Sequence, residues 1–261
     1  MKWYVLTDLE GACRVNRWDQ TRVGELTPGK RGAMTMLTLE INAAVQGVLD
    51  IDPYGEVIVW DGHGNGGIDE QLLSDRAWLI ARGSLIRAPY GLERGFAGQI
   101  VIGQHAMAGT PRATLAHTYS SKTVEYYKLN GQAIGELGCR AVMAGAMGVP
   151  TLFVSGDDKA TAEARALLPG VRTVDTKLSL DTELALHRPP QLVHQEIREQ
   201  VALAARHAKE AEPLCWPGPY ELEARVLPDC SPEHYLRYPG AQQLDERTVR
   251  AVADDLTTLW V

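Results

Sequence analysis

Short apolar runs alternate with stretches of helical spacing over the first 175 residues, the pattern of an α/β fold. Trp3-Tyr4-Val5-Leu6-Thr7 predicts an opening strand. Residues 34–48 carry Leu37, Ile41, Ala44 and Val48 on one stripe, which predicts a helix. Apolar runs at 55–60, 77–81, 99–103 and 151–155 predict further strands, and 170–174 is expected to be the last of the set. One interruption is antiparallel: Tyr126-Tyr127-Lys128-Leu129 and Gln132-Ala133-Ile134 flank Asn130-Gly131, whose turn positions both tolerate positive φ. Residues 136–147 should form a buried helix, with Glu136 in a first turn that suits its charge. Asp157 and Asp158 are read as a cap for a helix over 159–168.

The character changes near Pro189-Pro190. An amphipathic helix is predicted over 192–210, and Pro213, Pro217 and Pro219 then break the chain. An alternating strand comes next at 220–226, and a terminal helix is expected over 245–259, with Val249, Val252, Leu256 and Leu259 on one face. The expected architecture is α/β, a mostly parallel sheet sandwiched by helices. Residues 1–187 would form the catalytic, metal-binding domain and 188–261 a smaller α+β portion packed on it.

Composition narrows the function classes. A chain of 261 residues can bury a sizeable core, and 45% hydrophobic with 23% charged residues is ordinary for a soluble globular protein. The net charge of −7 argues against a nucleic-acid surface. No apolar run approaches the roughly 20 residues needed to cross a bilayer, so no membrane partner is expected. Asp8 and Glu10 interrupt what would be the apolar part of an export signal. Cys13, Cys139, Cys215 and Cys230 are scattered and form no CxxC pair, so they read as reduced thiols in a cytoplasmic protein.

The chemistry lies in the polar residues at the strand ends. Strand one runs into Asp8-Leu9-Glu10, the second into Asp61-Gly62-His63, and the 99–103 strand into Gln104-His105. In an extended chain, side chains at i and i+2 share a side, so Asp8 and Glu10 should project together. Two such acids repel each other unless a cation or proton joins them. Ligands of open α/β sheets bind beyond the carboxyl ends of the strands. If these strands are parallel neighbours, Asp8, Glu10, His63 and His105 converge with a donor set suited to zinc and other first-row divalent ions. Each residue taken singly also reads as a cap, a turn or a hydrogen-bonded loop residue, and His117 by itself is uninformative. The pattern leaves both readings open.

Two other motifs lead elsewhere. Gly62-x-Gly64-x-x-Gly67 satisfies the dinucleotide fingerprint. No acid ends the subsequent 77–81 run to hold a ribose, however, and Arg82 stands there instead. The glycines more simply let the backbone turn tightly around His63. Ser155 lacks a G-x-S-x-G elbow, which argues against a serine nucleophile.

Five motifs in order resemble the D-aminopeptidases of the DppA type, peptidase family M55. They are Asp8-Leu9-Glu10-Gly11, Asp61-Gly62-His63, Gly103-Gln104-His105-Ala106, Asn130-Gly131 through Gly135-Glu136-Leu137-Gly138, and Val154-Ser155-Gly156-Asp157-Asp158. The likeness spans roughly residues 1–178. It implies a two-metal, dizinc peptidase in which Asp8 bridges both ions, Glu10 and His63 complete one, and His105 and Glu136 the other. His117 matches the histidine used in catalysis. The resemblance further implies a cytoplasmic, ring-shaped homo-oligomer such as a decamer, releasing amino-terminal D-residues, typically D-Ala, from short peptides. The stretch 13–29 is unlike the family's, and Asp181-Thr182 stands where the family tends to carry Ser-Arg after Lys177, which bears on substrate preference. A metal-dependent amidase or esterase, and a non-catalytic peptide-binding protein, are the competing readings.

Overall fold

A computed structural model describes residues 1–81 and 87–259; Arg82 therefore lies outside the described residues. In chain order the first elements are β1 (Lys2–Thr7), α1 (Pro28–Ile51), β2 (Glu56–Asp61), β3 (Ala77–Ile80), β4 (Gln99–Gln104), β5 (Val124–Leu129), β6 (Gln132–Ile134) and α2 (Glu136–Ala146). The chain continues through β7 (Thr151–Asp157), α3 (Asp158–Leu167), β8 (Arg172–Asp181), β9 (Leu184–His187), α4 (Pro190–Arg206), β10 (Tyr220–Val226), β11 (Gln242–Gln243) and β12 (Thr248–Ala253).

Seven strands form the main sheet in the order β3-β2-β1-β4-β7-β8-β9, parallel except at β9. Its strands alternate between two covered faces. Trp3, Val5, Val57, Val59, Ile100 and Ile102 point to the side of α1 and α4. Tyr4, Leu6, Trp60, Val101 and Val154 point to the side of Leu137 and Ala144 of α2 and Ala164 of α3. The chain is thus the expected mostly parallel sheet flanked by helices.

Local chemistry accounts for several boundaries. Thr27 caps α1 by accepting from the Lys30 N–H at 3.1 Å, with Pro28 at the first helical position. Asp157 caps α3 by accepting from the N–H groups of Lys159 and Ala160. Asn130 and Gly131 take φ of 51° and 78° and close the β5–β6 hairpin.

A second, antiparallel sheet runs β11-β12-β10-β5-β6 over its own apolar cluster. Residues from 188 onward divide their packing: α4 lies on the parallel sheet, whereas β10, β11 and β12 join the β5–β6 hairpin.

Three expectations need correction. The 245–259 segment is not a helix: β12 pairs with β10, and a short 3-10 turn comes after it at Leu256–Leu259. Buried Val249 and Ala251 alternate with half-buried Arg250 and exposed Val252. The β-branched Thr248, Val249 and Val252 suit that pairing, which overrides the spacing by threes and fours. The strand at 170–174 is not the last, because β8 runs on to Asp181 and turns back as β9. Finally, β1 stops at Thr7, so Asp8 and Glu10 leave the strand in a turn rather than by extended alternation.

Candidate metal centre

Strands β2, β1 and β4 lie side by side and end at one edge, so the residues just beyond them share a crevice. The turn after β1 is pinned along its length. Asp8 N–H donates to the Ile102 carbonyl and Gly11 N–H to that of Gly103, both at 2.8 Å. A Cβ on Gly11 would overlap the Gln104 carbonyl, so this glycine allows two backbones to meet. The Lys177 ammonium, fully buried, donates to the carbonyls of Glu10 at 2.6 Å and Ala12 at 2.9 Å. Thr176 Oγ1 donates to the Gly11 carbonyl. Glu40 of α1 accepts from the Cys13 N–H at 2.7 Å.

The remaining groups arrive by separate routes. The Asp61 carboxylate accepts from the Gly67 N–H at 3.0 Å, closing a tight loop that presents His63. The glycine-rich stretch therefore shapes this loop. His105 directly succeeds β4, Glu136 opens α2, and His117 lies in the connection between β4 and β5. Glu136 Oε1 also accepts from the Tyr119 N–H at 2.6 Å, which ties the His117 loop to the helix.

All six expected residues come together. Asp8, Glu10 and His63 form one group of donor atoms, and His105, His117 and Glu136 form another, each group lying within 4.8 Å. His63 Nε2 is 3.4 Å from Glu10 Oε1. His105 Nε2 is 3.2 Å from Asp8 Oδ2 and 3.3 Å from Glu136 Oε1, so His105 and Asp8 join the two groups. His117 Nε2 is 3.7 Å from Glu136 Oε1, and its ring stacks on His105 with centroids 3.9 Å apart. His117 was expected as a catalytic group beside the ligands; by geometry it stands among the donors themselves.

These contacts fit a cation. The Nδ1 atoms of His105 and His117 each lie 2.9 Å from a backbone carbonyl, of Ala106 and Leu115 respectively. A carbonyl only accepts, so in each neutral ring Nδ1 carries the proton and Nε2 is left facing the carboxylates, open to a further proton or a cation. His105 Nε2 and Glu10 Oε2 are buried without a hydrogen-bond partner. Lone pairs facing carboxylates repel unless something positive lies between them. Two ligands about 2.05 Å from one tetrahedral zinc stand about 3.3 Å apart. The separations of 3.2, 3.3 and 3.4 Å match that edge.

Electrostatics point the same way. Burial, then the neighbouring Glu10 charge, pushes the Asp8 carboxyl up to about 8. Burial works against ionised Glu10 too, but His63 holds it well below the usual range. Burial also opposes a charged His105, yet the Asp8 and Glu136 carboxylates raise it well above an ordinary imidazole. Protons thus stand where a divalent ion would satisfy the same donors. Burial, aided by the His105 charge, lowers His117.

Lys177 and Glu40 were missed by sequence reasoning. Glu40 sits on the apolar stripe of α1 between Leu37 and Ala44, an acid out of pattern that was available as a signal. Lys177 lies beyond the predicted end of its strand.

The chain is similar to known proteins over most of its length. A D-aminopeptidase of Bacillus subtilis (strain 168) is 28% identical over 219 residues, covering 83% of this chain and 78% of its own. The solved structure of the Zn-dependent D-aminopeptidase DppA from Bacillus subtilis, described as a self-compartmentalizing protease, superposes with a TM-score of 0.90. It is 28% identical, with 100% of this chain and 94% of the other covered. The family model for the D-aminopeptidases, peptidase family M55, matches residues 1–261. With its motifs assembled at one sheet edge, the chain belongs to the D-aminopeptidase family of metallo-aminopeptidases.

Proposed function

We propose that this protein is a two-metal, zinc-using aminopeptidase that releases amino-terminal D-residues such as D-Ala from short peptides. One observation carries the two-metal reading: two donor groups are joined where Asp8 and His105 meet at 3.2 Å. Asp8, Glu10 and His63 would hold one ion, and Asp8, His105 and Glu136 the other. The zinc dependence of the Bacillus subtilis relative supports the choice of metal. A divalent pair, when bound, supplies a nucleophilic hydroxide at neutral pH and polarises the scissile carbonyl.

The chain's own residues do the rest. A free amino terminus would pair with an ion or a carboxylate of the site and a blocked one could not, which suits an exopeptidase. His117, with its proton held on Nδ1 by Leu115 and its pKa lowered by burial, keeps Nε2 unprotonated at neutral pH. That nitrogen takes a proton on the attacking side and delivers it to the leaving amine. The Lys177-anchored turn keeps Glu10 in place meanwhile.

Self-compartmentalization of the relative supports a homo-oligomer here, in a ring such as a decamer. Leu178, Leu180, Leu184 and Leu186 lie exposed on the β8–β9 ribbon and provide an apolar surface for assembly. A cytoplasmic setting is supported by the free cysteines Cys13, Cys139, Cys215 and Cys230. Among the described residues no helix is long and apolar enough to cross a membrane.

The test is metal analysis coupled to hydrolysis of D-Ala and L-Ala p-nitroanilides before and after chelation. Two zinc equivalents per chain, D-selective turnover, and loss of that turnover on chelation are expected. Full activity in metal-depleted protein, or preference for the L-substrate, would sink the proposal.

A further inference from the structure

A column of stacked side chains leads out of the donor groups. His117 lies on His105, and Trp18 meets His117 edge-on with centroids 5.7 Å apart. The Arg22 guanidinium carbon sits 3.4 Å from the centre of the Trp18 ring. Arg22 Nε donates to Ser121 Oγ at 2.8 Å, and Nη2 lies 3.4 Å from the Ser121 carbonyl. Ser121 belongs to the same connection that carries His117, so the guanidinium is fixed relative to the catalytic groups.

Those contacts hold the guanidinium in place without using Nη1. Among the described residues Arg22 forms no ion pair with a carboxylate, and Nη1 makes no hydrogen bond. Arg22 is half-buried, and its Trp18 platform meets His117 edge-on, which puts the guanidinium beside the site. Around the donors stand the acids Asp8, Glu10 and Glu136, whose charge two divalent ions would offset, and the buried Lys30 ammonium lies 3.5 Å from His63 Nδ1. A planar guanidinium held on an aromatic face matches a carboxylate with two parallel donors.

We infer that Arg22 is a specificity-determining residue that receives the terminal carboxylate of a short peptide whose amino end lies among the donor groups. The inference rests on the aminopeptidase reading and deepens it, because it makes the enzyme select free-acid peptides over otherwise identical amides. Trp18 is the platform and Ser121 the anchor. Both Trp18 and Arg22 come from the stretch between the Asp8-Leu9-Glu10-Gly11 motif and α1.

The experiment compares D-alanyl-D-alanine with D-alanyl-D-alanine amide on the zinc-loaded full chain, in wild type, Arg22→Gln and Arg22→Lys. Metal content is measured on each preparation. Wild type should prefer the free acid, and Arg22→Gln should erase that preference by raising KM for the acid roughly 10- to 100-fold, the effect of losing a hydrogen-bonded charge. Arg22→Lys should restore part of it, since a point charge replaces the fork. The same acid-to-amide ratio in Arg22→Gln as in wild type overturns the inference, as does an equal loss on both substrates. A wild type that cleaves neither substrate overturns the aminopeptidase reading itself, and this inference with it.

Discussion

Lys177→Met tests whether the turn bearing Asp8 and Glu10 is held from behind. Methionine keeps much of the length and volume of the side chain but removes the donor. The ammonium is fully buried and makes two charged hydrogen bonds, to the carbonyls of Glu10 and Ala12. Each such bond contributes about 1.5–3 kcal/mol. Part of that gain is spent on desolvation, as burial lowers the Lys177 pKa. The net loss should be about 2–4 kcal/mol, with two buried carbonyls left unpaired. For a chain of this size that shifts the thermal midpoint by roughly 5–15 °C. A structural role alone would stop there. Since one of the two carbonyls belongs to Glu10, zinc affinity should also fall roughly 10- to 100-fold, the usual cost of losing an outer partner of a ligand. Thermal unfolding of metal-free protein at fixed concentration and competition with a graded chelator measure the two effects. Wild-type values for both in Lys177→Met would refute the reasoning.

His117→Ala should lower turnover by roughly two to four orders of magnitude at unchanged metal content; loss of a zinc equivalent would instead make His117 a ligand, and near-wild-type activity would remove it from the mechanism. Glu40 gives a pH dependence: burial pushes its carboxyl from 4.5 up to about 7, so the folded chain holds the proton more tightly than the unfolded one. Its contribution is present below pH 4.5 and lost as pH rises through 7, which costs about 3 kcal/mol over that window. Urea unfolding of wild type and Glu40→Gln at about pH 5 and about pH 8 checks this, and an identical pH slope in both would contradict it. Gly11→Ala should destabilise by about 1–3 kcal/mol, because its Cβ meets the Gln104 carbonyl; a fully stable, fully metallated variant would show that the two backbones can separate freely.

Much of the fold was legible because its elements are locally encoded. The α1 stripe, the Asn130-Gly131 turn and the Asp157 cap each depend on neighbours a few residues away. The 245–259 segment failed for the opposite reason. Its apolar residues satisfy a helical period, but pairing with β10, more than twenty residues earlier, decides its conformation. The site divides in the same way. Asp8, Glu10, His63, His105 and Glu136 stand in short contiguous motifs, whereas Lys177 reaches the Glu10 turn from 167 residues away and had no local signature.

The order of residues alone put Asp8, Glu10, His63 and His105 just beyond strand ends and left a metal site open, and the family resemblance added Glu136, since donor chemistry and short-range periodicity are written in neighbouring positions. Folding in three dimensions settled the 3.2–3.4 Å spacings, the lowered His117 pKa, the buried Lys177 and Glu40, and the Trp18–Arg22 column. Those properties arise from burial and from contacts between distant segments, and charge and hydrogen bonding change strength once water is excluded.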